Sequence, residues 1–136
     1  MRHLGAALIV VLLITPAYSA GGWYLMRPPY DAVEKQAHDP NVHSLLDVRI
    51  KEPLAEWDTA DAYDSAQTCQ RGWSQHFESA LQHNAGMQNA LEDALKAGDT
   101  DSTKLERLRR GYGRAFVEGW RAYLSKCIAT DDPRLK

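Results

Sequence analysis

The sequence predicts a mainly α-helical fold, in which two long helices over about residues 64–97 and 102–129 form an antiparallel hairpin closed by a disulfide. Three observations support this prediction. Apolar residues recur at helical spacing in both stretches, Gly98 separates the stretches, and Cys69 and Cys127 lie equally far from that glycine along the chain. An extended or short-strand segment before the hairpin is expected to pack across it.

The first 19 residues have the pattern of a secretory signal, which predicts an exported, periplasmic or secreted protein. A short basic start precedes an unbroken apolar run over residues 4–14, and small residues follow at Ala17 and Ser19. The alternative is an uncleaved anchor over residues 4–26, because that stretch contains no charged residue and about 20 residues span a bilayer. With such an anchor the protein would be a membrane-anchored accessory subunit.

Length and charge limit the class of protein. The chain has 136 residues and a formal net charge of −2 at pH 7, which suits one domain with a modest core. No nucleic-acid partner is expected, because the net charge is small and the predicted compartment is extracytoplasmic. The sequence Gly111-Tyr112-Gly113 lacks the third glycine of a dinucleotide fingerprint and lies inside a predicted helix, so no cofactor is expected.

The segment before the predicted hairpin has the weakest signals. A short strand is predicted over residues 22–26, which are mostly aromatic and aliphatic, and two prolines stop it. Residues 45–50 fit either a strand or a helix, and Trp23 and Trp57 are expected to anchor the segment on the helices. The predicted organisation is a signal over residues 1–19, an extended segment over 20–63, and the hairpin with its tail over 64–136.

The first predicted helix begins at Asp64, an N-cap candidate with Gln67 three residues later. Apolar or small residues then follow at steps of three or four, with Asn84 as the one polar step: Cys69, Trp73, Phe77, Ala80, Met87, Leu91 and Ala94. Gly86 weakens the helix, since a helical glycine costs up to about 1 kcal/mol relative to alanine. A kink near residues 84–86 is therefore left open.

Gly98 is expected to end the first helix and turn the chain. A second apolar stripe follows, through Leu105, Leu108, Tyr112, Phe116, Trp120 or Gly119, Tyr123 and Cys127. This stripe predicts the second helix, over about residues 102–129.

The turn glycine also relates the two cysteines, because residue 98 is the midpoint between Cys69 and Cys127. Both helices rise about 1.5 Å per residue, so residues equidistant from the turn lie at similar heights in a hairpin. An isolated cysteine pair in an exported protein is most simply a disulfide, and two buried free thiols are the alternative for a cytoplasmic protein. We expect a disulfide that joins the open ends of the two helices.

Four short stretches form a further pattern: Gly22-Trp23-Tyr24-Leu25-Met26 with Pro28-Pro29, Pro53-Leu54 with Trp57, Tyr63-Asp64-Ser65-Ala66 with Cys69, and Cys127 followed by the tail Asp131-Asp132-Pro133-Arg134-Leu135-Lys136. This pattern resembles small exported bacterial proteins of uncharacterised function. The resemblance implies a cleaved signal and a cysteine pair, and it implies no reaction. The chain departs from the group at Tyr63, where phenylalanine is usual, and in its longer helical middle.

Arginines of the second helix form the candidate contact face. Arg107, Arg110, Arg114 and Arg121 fall on one side of a helix. A basic face of this kind would attract an acidic protein or an anionic envelope surface. The alternative is a solvated face whose arginines pair with acidic residues of the first helix or the N-terminal segment.

Two groups of residues define an alternative function, a small extracytoplasmic enzyme. One is His76 and His83, which share a helix face two turns apart, and the other is Asp58, Asp61 and Asp64. Neither group has metal-site spacing, because the histidines lack the i, i+4 step of helical zinc ligands and the aspartates lack the pattern of a calcium loop. Turn and cap roles are expected for the aspartates.

The function expected from these observations is that of a non-catalytic binding or structural protein of the cell envelope. No catalytic residue and no metal ligand is predicted. The partner is left open between an acidic protein and an anionic envelope surface.

Overall fold

The computed structural model describes residues 21–136, so the predicted signal lies outside the described residues. This part of the chain is mainly helical, as predicted, and also contains a three-stranded antiparallel sheet. The elements are β1 (Trp23–Arg27), α1 (Tyr30–Ala37), β2 (Asp58–Tyr63), α2 (Ala66–Lys96), α3 (Ser102–Leu124) and β3 (Lys126–Ala129), with short 3₁₀ helices at Leu45–Asp47, Leu54–Glu56 and Pro133–Leu135. Within the described range, no helix has both the length and the apolar character needed to cross a membrane.

β1 is the central strand of the sheet, which has the order β2-β1-β3. Its aromatic and aliphatic side chains suit a strand that is paired along both edges, and Leu25 and Met26 are buried. Trp23 lies opposite Tyr63 on one side and Ala129 on the other. The anchor alternative over residues 4–26 is therefore wrong for its last part, because residues 23–26 belong to the folded sheet.

β2 was not predicted from the sequence. It reads Asp-Thr-Ala-Asp-Ala-Tyr, and aspartate and alanine are depleted in strands. Pairing with β1 nevertheless fixes it as an edge strand, whose side chains are largely exposed. β1 and β2 come from the predicted extended segment and β3 from the predicted hairpin segment, so the sheet joins those two parts of the chain.

α1 was also not predicted. Pro29 occupies its N-cap position, and the helix has only eight residues. Val33 is completely buried, and α1 packs against α3. A single buried apolar side chain in two turns gives too short a periodic pattern to be detected from the sequence.

α2 begins one position later than predicted, because Ser65 rather than Asp64 is its N-cap. The Ser65 hydroxyl accepts a hydrogen bond from the Thr68 N–H, and the Thr68 hydroxyl accepts one from the Ser65 N–H. This reciprocal pair satisfies two backbone donors at the helix start. α2 stays helical through residues 84–86 and ends at Lys96.

A short turn connects α2 to α3, and the two helices pack against each other. Gly98 has φ of 69°, in the left-handed region that favours glycine, and the Asp101 side chain caps α3. The Trp73 indole N–H donates to the Ala122 carbonyl oxygen at 2.9 Å. This hydrogen bond ties the first half of α2 to the second half of α3.

α3 ends at Leu124, so the prediction that this helix continues to residue 129 is wrong. The backbone becomes extended at Ser125, and Lys126–Ala129 forms β3. The reason is pairing with the central strand, since Cys127 lies opposite Leu25. The last apolar position of the stripe, Cys127, therefore belongs to a strand.

The disulfide between Cys69 and Cys127 is confirmed, with Cα atoms 5.9 Å apart. It joins the start of α2 to β3, rather than one helix to another as predicted. Cys69 is completely buried. The disulfide therefore fastens the sheet to the helices.

The core lies at the sheet end of the molecule. Met26, Trp57 and Ile128 form one buried cluster, and Leu25 and Val117 are among the largest fully buried side chains. Between residues 74 and 114, by contrast, Ala94 is the one buried residue. The halves of α2 and α3 nearest the turn therefore present most of their surface to solvent.

Candidate functional site

Three of the four arginines predicted to form a contact face are exposed on α3: Arg107, Arg110 and Arg114. Their i, i+3, i+7 spacing places them along one side of the helix. At about 1.5 Å of rise per residue, the row is roughly 10 Å long. We call these three residues the arginine surface.

Arg121 is buried, with 6% of its surface exposed, so its assignment to an exposed contact face is wrong. Its Nε donates to the Pro28 carbonyl oxygen at 2.9 Å, and its Nη1 donates to the Glu118 carboxylate at 2.8 Å. Its Nη2 donates to the Asp58 carboxylate at 2.5 Å. Arg121 therefore links α3 to β2 and to the chain that follows β1.

Packing of α1 on α3 contributes to this burial. The Tyr30 ring centre lies 5.7 Å from the Arg121 guanidinium carbon. Burial, together with the nearby carboxylates of Glu34 and Glu118, raises the pKa of Tyr30. Tyr30, Pro28 and Asp58, which contact Arg121, are distant from it in sequence, so helical periodicity alone could not separate it from the exposed arginines.

Ion pairing of the arginine surface is sparse within residues 21–136. Arg110 Nε lies 3.6 Å from the Glu106 carboxylate, one turn earlier on the same helix. Among the ion pairs of the described chain, none joins Arg107 or Arg114 to an acidic residue. In the described chain, the alternative of pairing with acidic residues of the first long helix or the N-terminal segment therefore holds for Arg121, which pairs with Asp58, and not for the three exposed arginines.

Arg109 was not included in the predicted contact face. It is exposed beside Arg110, and both residues line an open hollow of about 540 Å³ near the start of α3. The run of basic residues in the sequence was the available signal, but Arg109 lies away from the row that the other arginines form.

His76 and His83 line one cleft, as expected for residues that share a helix face. The cleft has a volume of about 260 Å³ and lies where β1, α2 and α3 meet. Its polar lining residues are Arg27, His76, Ser79, His83, Glu118 and Ser125. We call it the histidine cleft. No local sequence signal indicates that Arg27 and Glu118 reach it from other elements.

The aspartate group does not form a single site. Asp58 and Asp61 lie in β2, so the prediction of turn and cap roles is wrong for both, and Asp64 is exposed between β2 and α2. The physical reason is strand pairing with β1, which uses the backbone that a turn would need. Within residues 21–136, no group of three or more His, Cys, Asp or Glu residues is arranged to hold a metal ion.

Asp61 is the aspartate that approaches the histidine cleft. Its carboxylate accepts hydrogen bonds from the Ala62 N–H and the Tyr63 hydroxyl, and its Oδ2 lies 3.8 Å from His76 Nε2. The hydrogen bond from the Ala62 N–H, which has the larger effect, and the one from the Tyr63 hydroxyl both lower the pKa of Asp61. Burial and the bond to Asp61 raise the pKa of Tyr63. The carboxylate is thus held in its charged form beside the rim of the cleft.

No protein-family model, curated protein or solved structure matches this chain. The class of protein is therefore inferred from the two features that the folded chain presents. These are the arginine surface on α3 and the histidine cleft between β1, α2 and α3.

Proposed function

We propose that the protein is an exported, non-catalytic binding protein that contacts an acidic partner protein through the arginine surface. The observation that carries this proposal is the exposure of Arg107, Arg110 and Arg114 in one row, with a single ion pair, to Glu106, among the described residues. Guanidinium groups that are not engaged by carboxylates of their own chain can bind those of a partner, often through two parallel hydrogen bonds.

An acidic protein is favoured over an anionic membrane because apolar side chains are lacking beside the arginines. Helices that bind membranes place large apolar residues next to basic ones, so that both enter the interface. The exposed large apolar residues of the described chain are Leu46, Leu81, Leu95 and Tyr123. The leucines lie outside α3, and Tyr123 is nine residues after Arg114, which places it on the opposite side of the helix.

The use of arginine also favours a carboxylate-bearing partner. The three basic residues of the surface are all arginines, whose planar fork matches a carboxylate better than the point charge of lysine does. Arginine is also enriched where protein interfaces carry most of their binding energy.

In this proposal, an antiparallel hairpin of α2 and α3 carries the arginine surface. Contacts between residues that lie at similar distances from the turn along the two helices support this arrangement. Trp73 donates a hydrogen bond to Ala122, and a Cβ added at Gly111 would contact the Met87 side chain. The residues between these contacts and the turn are mostly exposed. A projecting hairpin would hold the surface away from the core, where a partner can reach it.

Export is supported by the disulfide and by the signal-like start of the sequence. Disulfides persist in oxidising compartments and are rare in the cytoplasm.

The enzyme and the membrane-anchored subunit stay as alternative predictions. The histidine cleft favours the first only weakly, since among the described residues no serine or cysteine side chain is hydrogen-bonded to His76 or His83.

The proposal predicts that replacing Arg107, Arg110 and Arg114 together by serine weakens binding to a labelled oligoglutamate peptide about tenfold or more. Exposed charge pairs contribute roughly 0.2–1 kcal/mol each, and about 1.4 kcal/mol corresponds to a factor of ten. Fluorescence anisotropy at low salt measures the dissociation constants. Binding by the unmodified chain is expected to weaken as salt is added.

A matched control replaces three exposed basic residues elsewhere, Lys35, Lys51 and Arg71, by serine. This variant has the same net charge as the test variant and should keep its affinity for the peptide within about twofold, because the control sites lie off the row. Equal weakening of peptide binding in both variants would mean that net charge, rather than the arginine surface, determines the affinity, and it would contradict the proposal. Binding to anionic phospholipid vesicles without binding to the peptide would point to a membrane instead.

A further inference from the structure

The histidine cleft contains an unusual buried donor. Among residues 21–136, Arg27 Nε is the only buried side-chain nitrogen or oxygen atom without a hydrogen-bond partner. Such atoms are rare in folded proteins, because leaving a buried donor without a partner is costly. Arg27 lines the cleft, so a molecule that enters it can approach this guanidinium group.

The nearby carboxylate does not use up the donors of Arg27. Arg27 Nη1 lies 3.9 Å from Glu118 Oε2, which is too far for a hydrogen bond. Glu118 is instead engaged by Arg121, whose Nη1 donates to Oε1 at 2.8 Å. Arg27 therefore keeps a positive charge with unused donors.

The other lining groups add donors to the same space. His76 and His83 bring two imidazole rings from α2, and Ser79 brings a hydroxyl from the same helix. The ionisable groups that face the histidines are Arg27 from β1, Glu118 from α3 and, at the rim, Asp61 from β2. The cleft therefore offers side-chain donors from both β1 and α2 to a molecule that enters it.

From these observations we propose that the histidine cleft binds a small oxyanion, a carboxylate or a phosphate-like group, with Arg27 as its main donor. A volume of about 260 Å³ suits a small ion or metabolite better than a peptide. An arginine fork and imidazole N–H groups are the donors that such anions prefer. The site is separate from the arginine surface, so this proposal stands or fails independently of the partner protein.

The test is a titration of the full mature chain with sodium sulfate at constant ionic strength, followed by the Arg27 Nε–Hε resonance in ¹H–¹⁵N spectra. We expect a saturable shift of this resonance as sulfate is added. A parallel titration with acetate separates a carboxylate site from a phosphate-like one.

Two variants and a control complete the design. Arg27→Gln should weaken sulfate binding at least about tenfold, as read from the His76 and His83 ring resonances, and H76Q/H83Q should also weaken it, as read from the Arg27 resonance. Arg71→Gln, which removes an exposed arginine of α2, should leave sulfate binding unchanged. If Arg27→Gln does not fold, the resonance in the unmodified chain decides. An Arg27 resonance that does not respond to sulfate or acetate would overturn the proposal.

Discussion

Replacing Cys69 and Cys127 together by alanine is expected to lower the free energy of unfolding by about 4 kcal/mol. The disulfide closes a loop with a sequence separation of 58 residues, and a loop of this size greatly restricts the unfolded chain. It also fastens β3, one of two neighbours of the central strand, to the start of α2. Urea unfolding followed by circular dichroism measures the loss, as a fall in midpoint at similar slope.

The control for this prediction is the unmodified chain in the presence of a reducing agent. Its free energy of unfolding should fall by about the same amount, while the alanine variant should not respond to reduction. A loss below about 1 kcal/mol in both cases would mean that the sheet and helices stay together without the disulfide, and the structural role assigned to it would be wrong.

Replacing Arg121 by methionine is expected to cost about 3 kcal/mol of stability. Removing one partner of a buried ion pair costs roughly 3–5 kcal/mol, and the lower value applies because the Asp58 side chain is 61% exposed and can be solvated again. The buried Pro28 carbonyl loses its charged donor in the same variant. Methionine keeps much of the volume, so the effect reports the lost hydrogen bonds and charge rather than a cavity.

Arg114→Met provides the matched control, since Arg114 lies two turns earlier on the same side of α3 and is exposed. Its stability should stay within about 0.5 kcal/mol of the unmodified chain, as is usual for surface substitutions. Similar losses in the two variants would contradict the assignment of Arg121 to the folded core and of Arg114 to the arginine surface.

The features that could be predicted from the sequence are those with a strong periodic or covalent signal. The stripes of α2 and α3 repeat over many turns, so both helices were predicted within a few residues at most ends. The strand over residues 22–26 stood out through its aromatic and aliphatic side chains. The pairing of Cys69 with Cys127 followed from there being two cysteines and a predicted extracytoplasmic compartment.

Features that depend on contacts between distant segments could not be predicted. β2 and β3 exist because each pairs with β1, and their own sequences are short and carry little strand signal. The apolar stripe continues to Cys127 in the sequence and predicts a helix to residue 129, but an apolar residue at Cys127 suits a strand equally well. Tertiary pairing, rather than local preference, decides where α3 ends.

The same reason limited the prediction of the candidate sites. Four arginines had equivalent positions on the helix, and the difference between Arg121 and the others arises from Pro28 and Asp58, which are remote in sequence. For the histidine cleft, the spacing of His76 and His83 predicted their shared face. The approach of Arg27 required the strand to be placed against α2 and α3.

The proposed export of this chain requires a cleaved signal, and its fold requires the disulfide between Cys69 and Cys127. Both are tested by the intact mass of the protein isolated from the cells that produce it, with thiol alkylation before and after reduction. We expect a mass that lacks about 19 N-terminal residues, with two thiols that react only after reduction. A full-length mass with thiols that react without reduction would contradict both.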